Sequence, residues 1–221
     1  MQKIMEPGFE ILYLLGGLIL SILILINSKK RLSFIIFGIM GLLLVFGDAF
    51  HLVPRIFNSW EIGGENIHVY LGIGKLVTSI TMTIFYVLLF HFFKLRYKRH
   101  TPICVDISIY TLAIIRIVLC FLPFNEWTSI NPPYLWGIYR NIPFVLLGIL
   151  MVYLTFRWAR EYKDQYFKFA YLMISLSFIF YVMTVTLTVV HNLFGLMMLP
   201  KTICYVLILV MGLIASKKEK E

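Results

Sequence analysis

Asp48, His51 and Arg55 follow Leu44 at steps of four, three and four, the spacing that stacks side chains on one face of a helix. An acid, an imidazole and a guanidinium in one column either lean on each other, as an Asp48–His51 hydrogen bond would do, or present themselves to a pocket. The following stretch repeats the pattern with His68, Gly72, Lys75 and Ser79. Lys75 can run its aliphatic stem to an interface, pair with Asp48, or line the same pocket. Arg116 sits in an apolar run and does not lose its proton, so it needs an acid, backbone carbonyls or a ligand. Ser177, Tyr181, Thr184, Thr188 and His191 recur at four, three, four and three, a hydroxyl stripe ending in an imidazole. Such hydroxyls commonly bond their own backbone or join neighbouring helices. Arg140, Asn141 and Lys201, with Tyr139 and Tyr205 beside them, complete the set.

The signs of these residues favour one kind of chemistry. Arg55, Lys75, Arg116, Arg140 and Lys201 face three acids at most, Asp48, Glu61 and Glu65. A phosphate or carboxylate would relieve the repulsion among such cations, whereas a cation path would want the reverse balance. The expected ligand-binding set is Asp48, His51, Lys75, Arg116, Arg140 and His191. Its expected ligand is an anionic or amphiphilic small molecule, a membrane lipid headgroup among them, bound for sensing or transport. This reading names no cofactor. The alternative is a membrane-embedded lipid hydrolase in which zinc is held by His51, His68 and His191, three imidazoles leaving one position open for water. Asp48 would then orient His51 or take the water's proton, with Lys75 or Arg116 on the oxyanion.

The elements that must position these residues are read from composition. Of 221 residues, 60% are apolar and 14% charged, against about 25% charged in soluble proteins, so a water-soluble fold is excluded. Apolar runs long enough to cross a core of about 30 Å fall at 9–27, 33–53, 69–93, 105–124, 138–156, 169–193 and 200–215. The expected fold is all-α: one seven-transmembrane bundle over residues 1–221, multi-pass in the cell membrane. Glu6 and Glu10 precede the first run and Lys29, Lys30 and Arg31 follow it, the charge order of a retained span and not of a cleaved leader.

Fourteen of the 20 Lys and Arg fall in four alternate segments, residues 29–31, 94–99, 157–168 and 217–220; only Lys3, Arg55, Arg140 and Lys201 fall in the others. Basic residues resist translocation, which puts the amino terminus outside and the carboxyl terminus in the cytoplasm. The net charge of +9 is thereby spent beside anionic headgroups, and no nucleic-acid partner is expected. Trp60, Trp127 and Trp136, with Pro132 and Pro133, suit short interfacial loops. Cys104, Cys120 and Cys204 lack CxxC spacing and read as small apolar residues.

Several chemistries are missing by inspection. There is no HExxH, no rhomboid-type GxSx serine, no Walker A, no GxGxxG and no lysine midway along the last span for retinal. In its seven spans with intramembrane His and Asp, the chain resembles the alkaline ceramidase and adiponectin receptor superfamily of membrane metallohydrolases. The HxxxH pair those enzymes carry on the last span has no counterpart here, since 200–215 holds no histidine. No residue is carried over from that resemblance.

Overall fold

The computed structural model describes residues 2–62 and 64–219. Met1, Gly63, Lys220 and Glu221 lie outside the described residues, as does the side chain of Lys3, so Lys3 and Lys220 drop out of the charge placement below.

Among the described residues eight α-helices follow one another: α1 (Gln2–Asn27), α2 (Leu32–Ser59), α3 (Ile67–Arg96), α4 (Ile103–Phe121), α5 (Tyr134–Tyr139), α6 (Ile142–Glu161), α7 (Ala170–Leu187) and α8 (Met198–Lys218). Short 3-10 turns at Pro123–Asn125 and Asn192–Met197 precede α5 and α8. Counting α5 with α6, and the second turn with α8, the described residues form seven segments long and apolar enough to span a membrane. The outward residues agree with that: Leu12, Ile26 and Ile114 are 72%, 70% and 60% exposed, a surface suited to hydrocarbon.

Consecutive segments pack as neighbours, and α8 returns to lie against both α7 and α1. The bundle therefore has two ends. Three short connections and the carboxyl-terminal tail lie at the basic end, with the Lys and Arg of residues 29–31, 94–99, 157–168 and 217–218. The far end holds the start of α1, residues 60–62, 64–66 and 122–141, and the α7–α8 turn.

Several helix limits differ from the sequence reading: α1 begins at Gln2 instead of 9 and α6 ends at Glu161 instead of 156, and three further differences have a local reason. Helix α2 runs through Pro54 to Ser59. Proline there deprives the Phe50 carbonyl of its amide partner, and that carbonyl is pressed against Gly74 of α3, where any Cβ would stand 2.3 Å from it. The fifth segment starts early, as α5, and breaks at Arg140 and Asn141 before Pro143 enters the first turn of α6, a position where proline lacks only an amide that has no partner anyway. Helix α7 stops at Leu187, six residues before the expected limit of 193, so His191 is not on its hydroxyl stripe.

The core of the basic half is aromatic. Phe34, Phe37, Phe92, Phe93 and Phe167 are buried against one another with centroids 4.5–6.0 Å apart. Buried Ser and Thr hydroxyls among the helices, those of Ser21, Thr83, Thr155 and Ser177, donate to their own backbone.

Candidate functional site

Small residues bring α2 and α3 together at the far end. A Cβ on Gly47 would meet Thr81 and one on Gly74 would meet Phe50 and His51, so both positions require glycine for the close crossing usual between membrane helices. Thr78 Oγ1 donates to the Gly47 carbonyl at 2.9 Å. With α2 held this way, Asp48, His51 and Arg55 share a small cavity of about 30 Å³ with Glu10 and Tyr13 of α1, Thr78 of α3, and Lys201 and Tyr205 of α8. The column read from the sequence does face one crevice.

The partners in that crevice come from α1, however. Tyr13 donates its hydroxyl to Asp48 Oδ2 at 2.6 Å. Arg55 bonds Glu6 through Nη2, and its Nε lies 3.2 Å from Glu10 Oε1. That second approach is an ion pair without hydrogen-bond alignment: both Glu10 oxygens, and His51 Nδ1, are buried without a hydrogen-bond partner among the described residues. Lys75 does not pair with Asp48 within 4.0 Å among the described residues, contrary to the pairing considered above, and Arg116 does not find its acid there either. The sign tally also shifts, because Glu6 and Glu10 join the acids. Glu6, Glu10 and Tyr13 recur at four and three, the same one-face signature used for α2; it was legible, but the two acids were read only as evidence against a leader.

Arg116 lies deeper, one turn from the carboxyl end of α4, and is 2% exposed. Its guanidinium carbon stands 3.3 Å from the centre of the Phe144 ring, with the Cys120 thiol and the Tyr181 hydroxyl in hydrogen-bonding reach and Tyr205 in electrostatic reach. Nε and Nη1 have no hydrogen-bond partner, and no carboxylate pairs with the side chain, among the described residues. The carbonyls closing α4 are engaged by others: Asn125 Nδ2 donates to Leu119 and Leu122 at 2.7 and 2.9 Å, and Trp127 Nε1 to Cys120 at 2.8 Å. A desolvated cation–π contact contributes about 2 kcal/mol, whereas burying an unpaired ion costs several. The ring alone does not offset the burial.

Other cations surround this one. Arg140 stacks over Trp127 at 4.1 Å and donates to Asn125 Oδ1 at 2.9 Å. Arg140 lies in reach of Arg116, Lys75 of Arg140 and Arg55, and Lys201 of Arg116 and Asp48. Lys201 is 6% exposed, its ammonium 4.7 Å from the Tyr181 ring and without an ion pair or hydrogen bond among the described residues. Asp48, His51, Lys75, Arg116 and Arg140 are thus brought to one end of the bundle, with Lys201 as a buried member that the expected set omitted.

Two expected residues stand apart. His191 is exposed beyond α7, its Nδ1 accepting the Leu193 amide at 3.2 Å. His68 opens α3 with Nδ1 3.2 Å from the Glu65 carbonyl. Among the described residues no three His, Cys, Asp or Glu gather closely enough to hold a metal, so His51, His68 and His191 do not assemble the zinc site of the alternative reading. The hydroxyl stripe of α7 is mostly self-satisfied: Ser177 and Thr184 donate to their own helix at 2.8 and 2.9 Å, while Tyr181 donates to Asn141 Oδ1 at 2.6 Å.

At the basic end the buried charges are matched. Asp164 accepts Arg96 Nε at 2.6 Å, the Tyr97 hydroxyl at 2.9 Å and the amides of Tyr166 and Phe167 at 2.8 and 3.0 Å. Burial pushes its carboxyl up, but Arg96 and these donors together hold it below the usual carboxylate range. Arg96 also grips Glu219, and Arg31 donates to the Ser216 and Glu219 carbonyls at 2.6 and 3.2 Å.

Compared with known proteins, the chain matches no protein-family model, no curated protein and no solved structure.

Proposed function

We propose that this bundle binds an anion at its far end, through Arg116, Lys201, Lys75 and Arg140, and does so in sensing or in transport. One observation carries the reading: Arg116 is buried with Nε and Nη1 unpartnered, in reach of two further cations and paired with no carboxylate among the described residues. An arginine keeps its proton, so an anion is the partner that satisfies it. The matching chemistry is a phosphate-type or carboxylate group, whether on a lipid headgroup or on a small solute. In this reading the far end faces outward, as the basic residues of the opposite end support, and the protein sits in the cell membrane.

Native mass spectrometry of the purified protein, incubated with phosphatidylglycerol or with dimethyl phosphate, tests the proposal. An adduct that Arg116→Gln and Lys75→Gln each lose supports it. An adduct with the lipid alone assigns a headgroup; one with the soluble phosphodiester alone assigns a small anion. Adducts and thermal stability unchanged in both variants contradict it. Reporter fusions at residues 30, 98 and 162 test the orientation, all three being expected to report cytoplasm; an external signal at any of them reverses it.

A further inference from the structure

The crevice between α1, α2 and α8 has a use that anion binding leaves open. Glu10 is 2% exposed, and neither carboxyl oxygen accepts a hydrogen bond among the described residues. His51 Nδ1 is buried beside the same cavity, likewise without a partner. Asp48 is served by the Tyr13 hydroxyl alone at 2.6 Å, and Lys201 lines the cavity without an ion pair among the described residues. The cavity, about 30 Å³, has room for about one or two water molecules. A carboxyl, an imidazole and a second carboxyl around one water-sized space are the parts of a proton relay.

The surrounding charges say what a proton would do there. On α1 and α2, Glu6 and Glu10 meet Arg55, and Asp48 lines the same cavity with the Tyr13 hydroxyl on it. From α3, Lys75 faces His51 and Arg55; from α8, Lys201 faces His51 and Asp48, with the Tyr205 hydroxyl alongside. Arg116 of α4 is also in electrostatic reach of Lys201, whose ammonium stands 4.7 Å from the Tyr181 ring of α7. Lys201 is therefore shared between the acids of the crevice and the cations of the proposed anion site. A proton added to Glu10 or Asp48 leaves Lys201 freer to serve an anion, and an anion beside Lys201 and Arg116 favours that proton in return.

We propose that the Glu10–His51–Asp48 crevice is a proton-binding site whose occupancy is coupled to anion binding at Arg116 and Lys201, so that one anion enters with one proton. The coupling rests on the anion reading above. Isothermal titration calorimetry of the purified protein with dimethyl phosphate, a monoanion throughout pH 5–8, separates the two. In buffers of different ionisation enthalpy, wild type should take up a proton on binding, and affinity should fall by up to about tenfold for each pH unit gained. Glu10→Gln should lose at least half of that uptake, Glu10→Asp should restore it, and Glu10→Gln with Asp48→Asn should bind with an affinity independent of pH. Binding that is independent of pH in wild type, or full uptake in the double variant, overturns the proton site while leaving anion binding intact. No binding at any pH overturns the anion reading and the coupling with it.

Discussion

The two ends of the bundle handle buried charge in opposite ways. At the basic end Asp164, 8% exposed, receives two side-chain donors and two backbone amides, and Arg96 is held by Asp164 and Glu219. At the far end Arg116, 2% exposed, leaves two nitrogens without a hydrogen bond, and both Glu10 oxygens lack one, Oε1 having only its ion pair with Arg55, among the described residues. A matched ion cluster fixes helix ends; an unmatched one costs stability and is kept for another reason. On the function proposed above, the contrast separates a structural lock from a binding site.

Substitutions can break or sharpen that comparison. The largest effect is expected at the lock: Asp164→Ala leaves Arg96 buried with one partner fewer and should destabilise the detergent-solubilised protein by about 3–5 kcal/mol, read as a lower denaturation midpoint with anion binding unchanged. The lock also has a pH signature. A carboxyl held low in the folded state lends stability above its unfolded value and loses it as pH falls through its folded value. The difference in stability between wild type and Asp164→Asn should therefore be full at neutral pH and shrink below about pH 4.

At the far end the sign should reverse. Arg116→Met removes an unpaired buried ion and keeps its volume apolar, so in anion-free buffer it should leave stability unchanged or raise it by about 1–3 kcal/mol. Loss of several kcal/mol in the same thermal melt would make Arg116 a second lock. Gly74→Ala forces a methyl onto the Phe50 carbonyl and should cost about 1–3 kcal/mol, weakening anion binding by shifting α3 and with it Lys75, the next residue, while leaving the basic end protected in hydrogen exchange. Smallest is Asp106→Asn, which breaks the partly exposed pair with Lys94 at 2.9 Å. Its cost, below about 1 kcal/mol, should vanish in high salt.

The seven segments were legible because hydrocarbon demands a long apolar run, and the i, i+3, i+4 rule placed Asp48, His51 and Arg55 on one face as found. The rest depended on which helix meets which. Tyr13 as the partner of Asp48, and Glu6 and Glu10 as those of Arg55, follow from α1 lying against α2, a neighbour relation that periodicity within one helix does not contain. The spacing of His191 fitted a helix that ends four residues earlier, at Leu187, because Ser and Thr at 177–188 are as compatible with its continuation as with its end. Lys201 is the second residue of the apolar run 200–215, whereas the 3-10 turn Asn192–Met197 extends that segment towards the amino terminus and the lysine is buried.

The central claim, that the far end is held open for an anion, is tested most directly by melting the purified wild type and Arg116→Met side by side while dimethyl phosphate or phosphatidylglycerol is titrated in. A ligand at 100 times its dissociation constant adds about 2.7 kcal/mol to the state that binds it. Wild type is expected to start no more stable than Arg116→Met and to rise with at least one of the two probes, while Arg116→Met stays flat. Equal rises in both proteins, or none in wild type with either probe, would contradict the account.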